Sequence, residues 1–370
     1  MFPSHTHDVI PECLCRGSNP IYGFPIKPSE MTDFSGQSQV ISYFVMRLPW
    51  LSIAEELTAT AFSSIVAITI AEVKAFMHKQ FIIGLKGPVL TAQERIWLTE
   101  QPPLGVILFA RNTRSPEQVK ALLSDVRICT GQDTWAAIDE EGGRVNRMPW
   151  SPFNNRRHAA DYGVMYARNA GTAIQAAYQD SFCAATALKT LGFTHNCAPV
   201  LDMFHPDGHG IIGKRAFGDN VEQVTALATA CMRGLHDAGI AAVGKHFPGH
   251  GRANADSHVA VPQVDAPLAT ILAEAEPFAR LIAAGLKHVM TAHVIYNDTV
   301  KDVATVSPFW VRHVLRERMS FFGRIWSDDL CMKGVGDDVP AAAEAALKAG
   351  CDTLLICQPE GVAEIYGRLI

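Results

Sequence analysis

The chain lacks a long apolar run, an excess of positive charge and a paired cysteine motif, and each absence removes a class of function. Of its 370 residues 48% are hydrophobic, yet the uncharged stretch Leu57–Ala71 carries several Ser and Thr. It falls short of the ~20 apolar residues of a membrane span, so no membrane partner is expected. Lys and Arg number 32 against 37 Asp and Glu, a formal charge of -5, which leaves no cationic footprint for nucleic acid or an anionic surface. The nine cysteines are scattered singly apart from Cys13 and Cys15, with no CxxC spacing. That pattern suits reduced thiols and not a metal or redox pair. Met1 is followed by Phe2, Pro3 and polar residues instead of a basic stretch and an apolar run, so no secretory signal is read and the cytoplasm is the expected compartment.

Residues 1–76 mix Pro, Ser, Gly and His with short apolar pieces and show no strand-helix alternation. They read as an N-terminal extension, irregular or partly helical, ahead of a catalytic domain over 77–370 that starts near Met77. From Phe81 onward a short apolar run is followed repeatedly by a capped amphipathic segment. The runs are FIIGL from Phe81, GVILF from Gly105, WAAID from Trp135, FTHNCAPV from Phe193, IAAVG from Ile240, HVMTA from His288, RIWS from Arg324 and DTLLIC from Asp352. Helix starts are marked at Thr91 with Glu94 and at Ser115 with Pro116 and Gln118, and helix ends at Gly192, Gly239, Gly285 and Gly350. Alternating β and α with near-continuous apolar strands implies a parallel sheet buried on both faces, and this number of units implies closure into a (β/α)8 TIM-type barrel. A doubly wound open sheet is the alternative, but no GxGxxG follows the early strands. The last helix, after DTLLIC, reads as shortened, which exposes apolar surface on the eighth strand.

In such a barrel the chemistry gathers at the C-terminal strand ends. There the sequence holds Asp139, Glu140, Glu141, Arg144 and Arg147 after the third run; Lys245, His246, His250, Asp256 and His258 after the fifth; His293 after the sixth; and Asp328 and Asp329 after the seventh. A carboxylate here serves as base, metal ligand, nucleophile or ion-pair partner, and taken alone Asp328 reads equally well as structural. The histidines raise a metal reading, but Phe247-Pro248-Gly249 breaks the helix that His246 and His250 need to face one ion. His258 alone suits a solvated loop histidine and Asp256 a turn cap. Arg147 and Arg215 suit ion pairs with Glu140, Glu141 or Asp202. His205 and His209 read as solvated.

The strings IDEEGGRVNRM, GKRAFG, KHFPGHGRANADSH and WSDDLCM, each at a strand end and in order, resemble glycoside hydrolase family 3 β-N-acetylhexosaminidases of the single-domain NagZ type, across Met77 to Ile370. The resemblance implies a retaining exo-β-N-acetylglucosaminidase without metal or organic cofactor. It gives Asp328 as nucleophile, His258 as general acid/base and Asp256 as the carboxylate that orients it. Asp139, Arg147, Arg215, Lys245, His246 and His293 then hold or line the sugar pocket, and the loop around the His258–Asp256 dyad, with Gly249 and Gly251, closes over bound substrate. It also implies a monomer acting on a small glycan or muropeptide, with N-acetylglucosaminyl-anhydromuramyl peptides of peptidoglycan recycling as the family's substrates. A family 3 β-glucosidase or β-xylosidase, a phosphorylase, a metal-dependent hydrolase and a truncated inactive sugar-binding barrel are the other readings of the same residues.

Overall fold

The computed structural model of the protein describes residues 79–368. The extension over 1–76, the start at Met77, the Leu57–Ala71 stretch and Cys13 and Cys15 lie outside the described residues.

Eight parallel strands close into a barrel. In chain order they are β1 (Phe81–Gly84), β2 (Gly105–Leu108), β3 (Trp135–Ile138), β4 (His195–Asn196), β5 (Ala241–Phe247), β7 (His288–Thr291), β9 (Arg324–Asp329) and β10 (Thr353–Ile356), and β10 pairs back onto β1. A separate two-stranded pairing, β6 (Gln263–Val264) with β8 (Ile295–Tyr296), lies after β5 and β7 in the chain. One inward side chain from each barrel strand, or the residue just past it, fills the interior: Ile82, Ile107, Ala137, Cys197, Val243, Met290, Trp326 and Leu355. Burial of each larger member stabilises the barrel by about 1.5–3 kcal/mol relative to exposure. The barrel is therefore a packed core with a floor, and a site can form only above it.

The helices obey the signals in the sequence. In α1 (Ala92–Glu100) the Thr91 hydroxyl accepts from Glu94 N at 3.1 Å, while Glu94 accepts from Thr91 N at 2.8 Å. Ser115 caps α2 (Pro116–Thr130) with Pro116 in its first turn. Then follow α3 (Ala159–Arg168), α4 (Ala170–Leu191), α5 (Val221–Asp237), α6 (Leu268–Glu274), α7 (Glu276–Ala283), a π-type helix Phe309–Arg318, α8 (Val339–Ala349) and α9 (Pro359–Arg368). Helix α9 spans 10 residues, stacks Tyr366 on Trp97 at 4.9 Å and donates from Tyr366 Oη to Gln101 O at 3.0 Å. All four residues of β10 are buried, so the eighth strand carries no exposed apolar surface.

Candidate active site

Two irregularities aim the polar side chains. Between the pairs Gly244–Val289 and Phe247–Thr291 β5 has one residue more than β7, and between Trp326 and Asp329 β9 has one residue more than β10. A bulge re-aims the side chains it inserts. Here the inserted stretches carry Lys245 with His246, and Ser327 with Asp328. Together with the turn after β3 they line a cavity of about 370 Å³ at the C-terminal strand ends, where Asp139, Arg147, Arg215, Lys245, His246, His258 and Asp328 meet.

One wall is a charge lattice. Lys245 Nζ, almost fully buried, bridges Asp139 and Glu141, lying 2.7 Å from Glu141 Oε1. Arg147 Nη2 donates to Asp139 at 2.7 Å, and Arg215 grips Glu141 with Nε and Nη2 at 2.8 and 2.7 Å. Burial pushes Asp139 and Glu141 up, but the surrounding cations outweigh it and hold both carboxyls below the usual range. A second wall hangs on Asp202, whose carboxylate accepts from the backbone N–H of His246 and His250 at 3.2 and 2.7 Å and from His246 Nδ1 at 2.7 Å. Despite burial, His246 and His250 hold Asp202 at about 2. With its ring proton on Nδ1, His246 leaves Nε2 to accept from Arg215 Nη2 at 3.4 Å. Burial and the neighbouring His246 lower His250 to about 4.

Asp328 is enclosed and accepts the Asp329 N–H at 2.8 Å. Burial raises its carboxyl, while His246, His293, that N–H and Lys245 outweigh the burial and hold it below the carboxylate range. It is an ionised carboxylate facing the cavity, the state a nucleophile needs. Above it runs the loop after β5, where Asp256 Oδ1 accepts from both His258 N at 2.9 Å and His258 Nδ1 at 2.6 Å. The turn-capping reading of Asp256 and the orienting one therefore coincide in a single oxygen. His258 Nε2 has no partner among the described residues, and its side chain is 65% exposed at the cavity mouth.

This chain matches the glycosyl hydrolase family 3 N-terminal domain over residues 72–369. The chain belongs to glycosyl hydrolase family 3. Curated relatives include a β-hexosaminidase of Methylococcus capsulatus, 44% identical over 78% of this chain and 86% of that protein, and one of Thioalkalivibrio sulfidiphilus, 41% identical over 78% and 83%. Among solved structures, NagZ from Neisseria gonorrhoeae in complex with N-trifluoroacetyl-D-glucosamine superposes with a TM-score of 0.73 at 33% identity, covering 78% of this chain and 85% of that one. The family 3 domain here is accordingly a glycoside hydrolase of the β-hexosaminidase type.

In this family 3 barrel not every anticipated residue reaches the cavity. His293, read from the sequence as a sugar-binding residue, is fully buried behind the wall: its Nδ1 meets Thr305 Oγ1 at 2.8 Å and its Nε2 meets Asp329 O at 2.9 Å. With both nitrogens engaged, and with burial lowering its affinity for a proton, it packs behind Asp328 and offers the cavity no contact surface. His205, expected to be solvated, has Nε2 3.2 Å from Glu274 and a side chain only 15% exposed, while His209 is exposed as anticipated. Phe109, Ile211, Ile212, Met332 and His250 line the cavity without having been singled out as sugar contacts. Asp202 follows the β4 run directly, so the strand-end rule that found Asp139 also points to it. Among the described residues no three His, Cys, Asp or Glu side chains are arranged to share an ion.

Proposed function

We propose that this hydrolase is a retaining exo-β-N-acetylglucosaminidase that works through a covalent glycosyl-enzyme on Asp328. The observation that carries the reading is the His258–Asp256 pair at 2.6 Å poised at the mouth of a cavity whose wall presents the half-buried carboxylate of Asp328. In the first step an Asp328 oxygen attacks the anomeric carbon while His258 Nε2 gives a proton to the departing glycosidic oxygen, and Asp256 stabilises the imidazolium that precedes this transfer. In the second step His258 takes a proton from water, the water oxygen attacks the same carbon, and Asp328 is released as carboxylate. Two inversions at one carbon give net retention.

The cavity of about 370 Å³ ends on an apolar floor of Ile107, Met290 and Leu355, and a pocket closed at its base is what exo action on a terminal sugar needs. Arg147 and His250 both line the cavity, and Arg147 Nε and His250 Nδ1 have no hydrogen-bond partner among the described residues. Asp139, Lys245, Arg215 and His246 complete the grip. We read the substrate as a terminal β-linked N-acetylglucosamine on an anhydromuramyl peptide, met in cytoplasmic peptidoglycan recycling by a monomer with no metal or organic cofactor. The catalytic barrel runs over 77–370 behind the extension 1–76.

Hydrolysis of a chromogenic β-N-acetylglucosaminide against the matching β-glucoside tests this. Selective turnover by the wild type, unaffected by exhaustive chelation and lost in both Asp328→Ala and His258→Ala, is the expected result. Equal turnover of the glucoside, or an active Asp328→Ala, contradicts it.

A further inference from the structure

We infer that Glu140 is the positioning residue that fixes Arg147 against Asp139 and so sets the affinity of the cavity for its sugar, an inference that rests on the glycosidase reading above. Glu140 lies between two acids that take part in the charge lattice lining the cavity, yet its own carboxyl is fully buried and turned away from it. Its Oε2 accepts the backbone N–H of Arg147 at 2.8 Å, closing the turn through Gly142 and Gly143 that carries Arg147 back to Asp139. Its backbone is clamped to β4: Glu140 N donates to Asn196 Oδ1 at 3.0 Å, and Asn196 Nδ2 donates to Glu140 O at 2.9 Å. The turn is thus anchored at one end by Asn196 and at the other by the Glu140 carboxyl.

The charged groups facing this carboxyl are Arg147 and Asp139 from its own turn and Arg156 from the following loop. Arg156 Nη1 is 3.5 Å from Oε1, and Arg156 itself lies 3.9 Å from Asp180 of α4. Oε1 has no hydrogen-bond partner among the described residues. Arg156 thus pairs loosely with Oε1 while its Nη1 donates to Glu140 O at 3.2 Å, and the 2.8 Å contact from the Arg147 N–H is the one hydrogen bond the carboxyl itself makes among the described residues. Burial pushes the carboxyl up to about 7, against the Arg147 N–H and Arg156. The ionised form makes the stronger bond to the Arg147 N–H, so the turn tightens as pH rises through neutrality.

The test is the pH dependence of KM and kcat taken separately, with calorimetric titration of N-acetylglucosamine as a binding readout independent of turnover. Wild-type KM is expected to rise about fivefold on the acid side of about pH 7, while kcat follows the dyad. In Glu140→Gln the KM is expected to lose this inflection and to sit at the acid-side wild-type value at about pH 8, with kcat changed less than about twofold. Glu140→Ala, which removes the acceptor, is expected to raise KM further. A wild-type KM without an inflection near neutrality overturns the inference whether or not the variants fold, as does a folded Glu140→Gln with wild-type KM and binding at every pH. A wild type silent in both hydrolysis and calorimetry overturns the sugar reading itself, and is distinguished by failing before any substitution is made.

Discussion

Three consecutive carboxyls, Asp139, Glu140 and Glu141, have two different fates, and neighbours decide which. Asp139 and Glu141 are buried but ringed by Lys245, Arg147 and Arg215, which hold them ionised; Glu140 has only the Arg147 N–H and a loose pairing with Arg156 at 3.5 Å, and burial wins. Stability follows from this by linkage. The native Glu140 carboxyl keeps its proton up to about 7, while the unfolded chain releases it near the ordinary 4.5. The native state therefore binds the extra proton between these values, and stability falls as pH rises across them, by at most about 3 kcal/mol. Glu140→Gln should melt higher than wild type above pH 7 and equally below about 4.5, a difference that thermal denaturation reads directly. Lys245→Met has the opposite consequence, since it leaves Asp139 and Glu141 facing each other with one cation fewer. A loss of about 3–5 kcal/mol is expected in denaturant titration, together with loss of sugar binding. At this scale the placement of Asp328, Asp256 and His258 around the cavity was legible because each stands in a polar run after a strand, while the roles proposed for them came from the family resemblance. His293 has the same sequence context and a different fate, because Thr305, from a turn further along the chain, occupies its Nδ1.

At the scale of elements, the loop after β5 is held at its start and middle. Gly251 packs so closely that a Cβ there would sit 1.9 Å from Met203 O. Ser257, buried between its exposed or half-exposed neighbours, meets His250 Nε2 with its hydroxyl at 3.3 Å and accepts from Gly334 N with its carbonyl at 3.1 Å. Ser257→Ala should leave the melting temperature nearly unchanged and speed amide exchange over the loop. It should also slow turnover of poor leaving groups more than activated ones, because a loosened His258 hurts only the reaction that needs its proton. Equal slowing of both substrate types would mean that Ser257 acts elsewhere. Element bounds were legible where propensity and tertiary context agree, as in β1 and β2, and misled where they part. The run from Phe193 keeps only His195–Asn196 as a strand, and Pro199 within it has no N–H to donate. β5 continues past the apolar IAAVG through Lys245 and His246, because the lattice satisfies charges that a sequence reading treats as the end of a strand.

For the whole molecule, closure was legible from repetition: eight apolar runs, each followed by a helix, admit few arrangements other than a barrel. What repetition does not encode is the other end of that barrel. There Trp135, on β3, stacks on His195 at 4.1 Å, and Trp326 Nε1 donates to His288 Nδ1 at 3.2 Å. Burial lowers His195 to about 3 and, with Arg324, lowers His288 to about 4. Unfolded histidines take protons near 6.5, so the unfolded state binds more protons between these values and stability falls as pH drops through that window. The melting temperature should decline from pH 6 to 4, and a His195→Gln, His288→Gln double variant should flatten the decline. An unchanged slope would place the acid lability elsewhere.

The central claim is that Asp328 forms a bond to the sugar. The most direct measurement is intact and peptide mass spectrometry of the full chain after reaction with a fluorinated N-acetylglucosaminyl fluoride, in which ring fluorine slows the second step. The account predicts one added glycosyl per chain, on the peptide carrying Asp328, and none in Asp328→Ala. Turnover of an N-acetylglucosaminide with no trapped adduct, or an adduct on another carboxylate, would contradict it.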